Sequence, residues 1–164
     1  MSLINDTISM IEEKINSLPN YQFEVGVFVE DKEREETVYV EKVRIGVTNA
    51  ELMYIHENGS PLQNIPSRPV LKITADYVTK NWLAICIRNS IYKYIESGFD
   101  IKIYERELNK WCTRIENYAR EIIYSNDGRL LPNSPKVAAK KGGNHPLFDT
   151  GQLARSITCT LVKL

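Results

Sequence analysis

Hydrophobic residues recur at helical spacing in three long segments of the chain. Over residues 3–17 the spacing alternates between four and three, through Ile4, Ile8, Ile11, Ile15 and Leu18. Residues 70–96 carry a broad apolar face, which is typical of a helix that is buried on two sides. The segment 100–125 is the most regular, with one stripe formed by Ile101, Tyr104, Leu108, Trp111, Ile115, Tyr118 and Ile122. The pattern predicts three amphipathic helices, and the aromatic stripe of the last one belongs in the core.

A second pattern, in which apolar and polar residues alternate, predicts strands. It covers residues 23–29 and 38–47, which we expect to form a long β-hairpin with the charged residues 30–36 at its tip. It returns at residues 156–162, the expected last strand. The sequence therefore predicts an α+β fold with a mostly antiparallel sheet that includes the long hairpin. Two long antiparallel helices and an N-terminal helix pack on this sheet, in a single domain of residues 1–164.

Proline and glycine mark the segments between these elements. Asn49 is a candidate N-cap for a short helix, residues 50–57, that ends at Asn58-Gly59. Residues 60–69 contain three prolines, which predict a stiff and extended segment.

The segment 126–148 lacks periodicity and is expected to be a long basic loop. From Arg129 to Phe148 it has no acidic residue, and its basic residues are Arg129, Lys136, Lys140 and Lys141. Loops of this length inside a domain are usually functional or disordered. A single helical turn follows the loop, and Asp149 or Thr150 is its expected N-cap.

Composition excludes some classes of protein. The 21 basic and 21 acidic residues give no net charge, which argues against a dedicated nucleic-acid binder but leaves room for a local basic patch. Three widely spaced cysteines, Cys86, Cys112 and Cys159, predict reduced thiols that act as small buried hydrophobic groups. Neither a signal peptide nor a membrane span is indicated, so we expect the protein to stay where it is made until it joins an assembly.

Residue types that carry catalysis are sparse. The two histidines, His56 and His145, lack metal-site spacing, and no pattern of a catalytic nucleophile or a phosphate-binding loop is present. We therefore expect no enzyme activity, no metal and no cofactor. His56 is interpreted as a hydrogen-bond donor that holds the end of its helix against the proline-rich segment. A zinc site from both histidines and a cysteine, and a metal-dependent nuclease that uses His56, are the minor alternatives.

Two stretches of the chain combine prolines, glycines and isolated charges in an unusual order. The first contains His56-Glu57-Asn58-Gly59 and Ile65-Pro66-Ser67-Arg68-Pro69-Val70-Leu71. The second contains Pro132-Asn133-Ser134-Pro135 and then Pro146-Leu147-Phe148-Asp149-Thr150-Gly151, Leu153, Ser156 and Ile157. Together they resemble the paired motifs of phage tail-completion or neck (virion-morphogenesis) proteins. Asn58, Ser67 and Val70 depart from that family's aromatic, alanine and phenylalanine, and some related families carry the motifs in reverse order, which leaves the subfamily open.

The resemblance implies a structural virion protein that forms a ring, often sixfold, at the junction of capsid and tail. It implies partners of four kinds: further copies of the chain, the capsid connector or stopper, tail-tube or tail-terminator proteins, and genomic DNA that passes through the channel without being read. Assembly would take place in the host cytoplasm, and the final location would be the virion neck. The two motifs would lie side by side at the subunit edge, with interface residues His56, Glu57, Gly59, Pro66, Arg68, Pro69, Asp149, Thr150 and Gly151.

Several points stay open at the level of sequence. Arg68 is expected to pair with a carboxylate, from Glu57, Asp149 or a neighbouring subunit, or to act as a clamp within the chain. The basic segment 129–145 and the residues 30–36 are candidates for partner docking or channel lining because their local charges are opposite, although the latter are equally a solvated loop. A tail-terminator or other connector ring, and a DNA-binding accessory protein, are the alternative functions.

Overall fold

The computed structural model describes residues 2–28, 38–40 and 43–164 of the chain. The described residues form the helices α1 (Ser2–Asn16), α2 (Asn49–Asn58), α3 (Val70–Asn81), α4 (Leu83–Glu96), α5 (Ile101–Ser125), α6 (Pro135–Lys141) and α7 (Gln152–Arg155). A 3-10 turn covers Pro61–Gln63, and the strands are β1 (Tyr21–Gly26), β2 (Val38–Val40), β3 (Val43–Ile45) and β4 (Thr158–Lys163). The predicted mixture of helix and strand is confirmed, but these residues are mostly helical. None of their helices combines the length and apolar character of a membrane span.

The strands pair in two short ladders rather than in one larger sheet. β1 pairs with β4, and β2 pairs antiparallel with β3, with Val38 opposite Ile45. The long hairpin and the mostly antiparallel sheet are therefore not confirmed, and the expected tip 30–36 lies outside the described residues. Alternation identifies a strand, but it does not say which strand lies beside it, because every strand with one buried face shows the same pattern.

The chain divides into two compact units. The first comprises Met1–Glu24, Tyr77–Arg114 and Thr160–Leu164, and the second comprises Val25–Asp76 and Ile115–Cys159. Neither unit is one continuous stretch, so the division does not cut the sequence into successive domains. The single domain of residues 1–164 stays a prediction.

α4 and the N-terminal half of α5 form the core of the first unit. The rings of Trp82 and Trp111 lie 6.0 Å apart, and those of Tyr94 and Tyr104 lie 5.9 Å apart. The early part of one helix thus faces the later part of the other, so the two helices run antiparallel, as predicted. Most of the predicted α5 stripe is buried, because Tyr104, Leu108, Trp111, Ile115 and Ile122 are each at most 8% exposed.

The helix predicted for residues 70–96 is interrupted at Trp82, which separates α3 from α4. The backbone hydrogen bonds continue past this residue, from Trp82 N–H to the Val78 carbonyl and from Cys86 N–H to the Trp82 carbonyl. Burial on two sides is wrong, since Ile85 and Ile87 are 41% and 43% exposed. An apolar face shows which residues could be buried, and only the neighbouring elements decide which ones are.

The N-terminal helix and the cysteines are each confirmed in part. α1 matches the predicted helix 3–17, but Ile4 and Ile8 on its apolar stripe are 68% and 49% exposed. Cys86 and Cys112 are buried as expected, whereas Cys159 is only half-buried. The three cysteines, all of them described, form no disulfide.

The core of the second unit draws on both marked stretches. Val70 and Ile157 are fully buried, and they belong to one cluster together with residues of α2, α5 and α7. Residues 126–148 include a helix rather than only a loop, because the Ser134 hydroxyl accepts from the Val137 N–H and Gly142 ends α6 in the left-handed conformation. The expectation of a wholly irregular segment is therefore wrong.

Two expected helix caps lie at other residues. Thr48, not Asn49, is the N-cap of α2, and it forms a capping box with Glu51. Asn49 is fully buried instead. α7 is preceded by Gly151 rather than capped by Asp149 or Thr150, and the Gly151 φ of 76° belongs to the left-handed region. Both corrections move a boundary by one or two residues, which is the usual uncertainty of a cap assigned from sequence.

Candidate functional site

A groove of about 510 Å³ in the second unit is lined by both marked stretches. The first stretch and its helix contribute Leu52, His56, Gln63, Asn64, Ile65, Pro66 and Arg68. The second contributes Asn133, Ser134, Val137, Lys141, Leu147, Asp149, Thr150, Gly151, Gln152 and Leu153. The structure therefore brings the two stretches side by side, as the sequence led us to expect.

Arg68 fastens the two stretches together from a buried position, since its side chain is only 5% exposed. Its Nε–H donates to the Leu131 carbonyl at 2.7 Å and its Nη2–H to the Pro132 carbonyl at 2.8 Å. The same Nη2 lies 3.5 Å from Oδ1 of Asn133. Pairing with Glu57 or Asp149 is wrong, and Arg68 is the intrachain clamp of the alternative interpretation. Burial lowers the pKa of the guanidinium from its ordinary value.

Glu57 binds the start of α3 rather than Arg68. Its two carboxylate oxygens accept from the N–H of Leu71 at 3.0 Å and of Lys72 at 2.7 Å. The first N–H groups of a helix lack partners within the helix, and a negative charge there interacts favourably with the helix dipole. Glu57 therefore attaches the end of α2 to the beginning of α3.

Gly59 lets the proline-rich segment cross close to the end of α2. Its N–H donates to the Ile55 carbonyl, and its φ and ψ of 78° and 172° lie in a region that is essentially restricted to glycine. A Cβ atom here would lie 2.9 Å from the backbone nitrogen of Ser67 and 3.0 Å from the Ile65 carbonyl oxygen. The Ser67 hydroxyl, which donates to the Glu57 carbonyl at 2.7 Å, fixes the same crossing. The glycine predicted to permit a tight turn also permits this contact.

The imidazole of His56 lies in the groove beside two cations. Its Nδ1 is buried and has no hydrogen-bond partner within the described part of the chain, while its main-chain carbonyl accepts from the Arg68 N–H. The prediction that the His56 side chain donates a hydrogen bond is therefore wrong for Nδ1. Burial, followed by the positive charges of Arg68 and Lys141, lowers the pKa of His56 to about 4. The ring is consequently neutral at pH 7.

The other predicted interface residues surround this centre. Pro66 lines the groove and is exposed, and Pro69 is half-buried immediately before α3. Asp149 and Thr150 are exposed at the rim, where the Thr150 carbonyl accepts from Arg155 Nη1 at 3.0 Å. Gly151 is buried, and a Cβ atom on it would lie 3.0 Å from the same Arg155 nitrogen.

The four predicted basic residues do not form one surface. Arg129 pairs with Asp127 at 2.6 Å and with Glu121 at 3.5 Å, so its charge is compensated locally. Lys136 and Lys140 are exposed on α6. Lys141 also lies on α6, but it lines the groove and donates to the Phe148 carbonyl at 3.1 Å.

His145 has a different environment from His56. It stacks on Phe148, with ring centroids 4.7 Å apart, and its Nε2 lies 2.7 Å from the Ile123 carbonyl oxygen. Among the residues that the structure describes, no three His, Cys, Asp or Glu side chains are grouped closely enough to hold a metal ion.

The site also contains residues that the sequence did not single out as functional. The carbonyls of Leu131 and Pro132 hold Arg68, and Asn133 lines the groove beside that guanidinium. Ser134-Pro135 was a usable signal, since serine is a preferred N-cap and proline a preferred first helical residue. Recognising this pair would have identified α6, whose residues Val137 and Lys141 line the groove.

The groove presents two cations, one exposed carboxylate, four amide side chains and a neutral imidazole next to apolar side chains, an arrangement suited to binding. Comparisons with protein-family models, with curated proteins and with solved structures give no match for this chain.

Proposed function

We propose that this chain is a structural virion protein that forms a ring at the head–tail junction of a tailed phage. There it completes the tail or neck and joins it to the capsid connector. The observation that carries the proposal is the groove, in which the two motif stretches meet and are fastened by the buried Arg68. The resemblance to neck proteins is carried by two separate stretches of the chain, and it gains support because both stretches line the same groove.

The exposed apolar residues support assembly as the role of the chain. Leu62 is 99% exposed on the 3-10 turn, Tyr54 is 71% exposed on α2, and the stripe of α1 exposes Ile4 and Ile8. Large apolar side chains and tyrosines of this kind supply the buried centre of many protein–protein contacts. A ring of identical subunits uses two different surfaces of each subunit, one for each neighbour. Exposed apolar residues on several elements fit that requirement.

The proposal is tested by electron microscopy of the purified protein and of particles made without it. We expect closed rings from the protein alone, and detached full heads and tails from particles that lack it. Adding the purified protein back should join heads to tails. Intact, joined virions formed in its absence would overturn the joining role.

A tail-terminator or other connector ring is the nearest alternative, and the same particles separate it from the main proposal. Loss of a terminator changes the length or the end of the tail, whereas loss of a neck protein leaves complete tails unattached. Tails of abnormal length in the particles without this protein would favour the terminator.

A DNA-binding accessory role is supported by the lysines of α6, since Lys136, Lys140 and Lys141 are all exposed. If it is correct, affinity for duplex DNA falls steeply with salt, and replacing Lys136, Lys140 and Lys141 by glutamine lowers the log–log salt slope by about 3. The ring proposal instead expects the triple variant to impair head–tail joining, because these side chains would contact a partner. Normal joining with the triple variant contradicts that contact.

A further inference from the structure

We propose that the groove between the two motif stretches binds a carboxylate carried by a peptide segment of a neighbouring protein chain. The assignment rests on three features of the described residues: uncompensated positive charge, buried donors without acceptors, and an apolar wall. It goes beyond the proposed ring, because each feature belongs to the groove itself and does not depend on how many copies assemble.

Positive charge dominates the inside of the groove. Its charged lining residues are Arg68, Lys141 and Asp149, and His56 is the other titratable one. Lys141 and Asp149 are both exposed, and among the described residues Asp149 forms no ion pair within 4.0 Å with Lys141 or with the buried Arg68. The known acceptors of Arg68 are neutral carbonyl and amide oxygens. A buried cation without a counter-ion is costly, and a bound anion removes that cost.

Hydrogen-bond donors in the groove also lack acceptors. The donor Nδ2 of Asn133 is buried without a partner in the described part of the chain, and so is Nδ1 of His56, which donates or accepts according to the tautomer. Nη1 of Arg68 has no acceptor among the same residues. Buried polar groups are nearly always hydrogen-bonded, so a ligand that supplies partners to the two buried atoms of Asn133 and His56 would be favoured in this groove. A carboxylate offers two acceptor oxygens, which suits an amide and a guanidinium side by side.

The rest of the lining favours a peptide over a free oxyanion. The apolar residues of the lining are Leu52, Ile65, Val137, Leu147 and Leu153. A volume of about 510 Å³ is within the range of sites that take organic ligands. Inorganic phosphate would leave this apolar surface in contact with water, whereas the side chains that flank an aspartate or glutamate would cover it.

Occupation of the groove has a built-in reporter. Burial is the largest cause of the low pKa of His56, about 4, and the positive charges of Arg68 and Lys141, the groups expected to bind the carboxylate, lower it further. A bound negative charge offsets their field and raises the pKa of His56. By linkage, the carboxylate binds more tightly when His56 is protonated. His145 lies outside the groove lining and serves as an internal reference.

The experiment is an NMR titration of both histidine rings in the full chain with three probes. These are the capped tripeptide acetyl-Leu-Asp-Leu-amide, the matched acetyl-Leu-Asn-Leu-amide, and inorganic phosphate. We expect saturable shifts of His56 with the aspartyl peptide and a rise of its pKa by about one unit. The asparaginyl peptide and phosphate should bind at least about tenfold more weakly. Equal binding of the two peptides, or binding of neither, overturns the carboxylate site, and phosphate binding as tight as the aspartyl peptide overturns the peptide assignment.

Variants locate the binding in the groove. Lys141→Gln should weaken the aspartyl peptide about threefold to tenfold, whereas Lys140→Gln, one residue away and outside the groove, should leave it unchanged. Asn133→Asp places a carboxylate beside Arg68, so it should raise the pKa of His56 without any ligand and prevent the peptide from binding. All three variants keep the hydrogen bonds from Arg68 to the Leu131 and Pro132 carbonyls. Thermal unfolding checks that each variant is folded. Unaltered peptide binding by Asn133→Asp overturns the location.

Discussion

Single residues of the motif stretches mostly satisfy main-chain groups. Arg68 donates to two carbonyls, and Glu57 accepts from two N–H groups at the start of α3. Both side chains are charged, yet neither pairs with the other. The charges of Arg68 and Glu57 therefore stabilise the fold through strong hydrogen bonds. The charge of Arg68 is also available to a ligand in the groove.

Gly59→Ala should lower the free energy of unfolding by about 3 kcal/mol, because the substitution combines a strained backbone with a clash against the Ser67 backbone. Gly128→Ala is the matched control, since Gly128 also has a positive φ, 90°, but a Cβ atom there meets nothing within 4 Å. It should cost about 1 kcal/mol. Urea unfolding measures both, and equal losses would show that the close approach at Gly59 is unimportant.

His56 should make the protein less stable as the pH falls from about 6.5 towards 4. Its pKa is lowered to about 4 in the folded state, so over this window the unfolded chain binds a proton that the folded chain does not. Above pH 6.5 both states are neutral and the effect vanishes. After allowance for solvent screening, the free energy of unfolding should fall by about 1–2 kcal/mol over this pH range.

Urea unfolding at pH 6.5 and pH 4.5 measures this dependence. The His56→Gln variant should lack the His56 contribution to the pH dependence of stability. The contributions of all other groups, including His145, should remain. An unchanged dependence on pH in the variant would contradict the lowered pKa.

The helices are positioned largely by their ends. Thr48 and Glu51 start α2, Ser134 starts α6, and the carboxylate of Glu57 reaches across to start α3. The first two caps are local in sequence and could be recognised from it. The third joins residues 14 and 15 positions apart, which only the fold reveals.

Glu57→Gln should cost about 1 kcal/mol of stability, because the amide retains one acceptor oxygen but loses the negative charge at the start of α3. Glu12→Gln, on the exposed side of α1, is the matched control and should change stability by less than about 0.5 kcal/mol. Thermal unfolding at low and high salt compares the two. A Glu57 effect that equals that of the control would contradict the cap.

At the scale of the whole molecule, apolar surface is left exposed on several elements. Ile4 and Ile8 of α1 belong to the predicted apolar stripe, and they are 68% and 49% exposed. α4 likewise exposes Ile85 and Ile87. Such faces are expected of a subunit whose partners complete its burial.

If α1 contributes to the proposed ring, replacing Ile4 and Ile8 by serine should lower the mass of the assembly, because a neighbouring copy would bury these two exposed side chains. Replacing Asn5 and Glu12 by serine changes the same helix at exposed polar positions and is the control. Light scattering of the purified protein over a range of concentrations measures the mass of the assembly. An unaltered mass for the Ile4 and Ile8 variant would exclude α1 from the interface.

Elements with a strong periodic signal could be predicted from the sequence. α5 follows the predicted stripe, α1 lies within a residue or two of its predicted span, and α2 ends at Gly59 as expected. These are local properties, since helical spacing and a glycine at a helix end depend on neighbours within a few residues. The meeting of the two motif stretches was also anticipated, but from their resemblance to a paired motif rather than from their spacing.

Which side chains and strands contact one another became clear from the fold. It pairs β1 with β4, interrupts the long helix at Trp82 and leaves Ile85 exposed. It also gives Arg68 carbonyl acceptors and places Lys141 beside His56, so that a groove rather than an ion pair lies between the motifs. The charge and hydrophobicity of a side chain limit what it can bind. Its actual partner depends on which residues, far apart in the chain, the fold brings close to it.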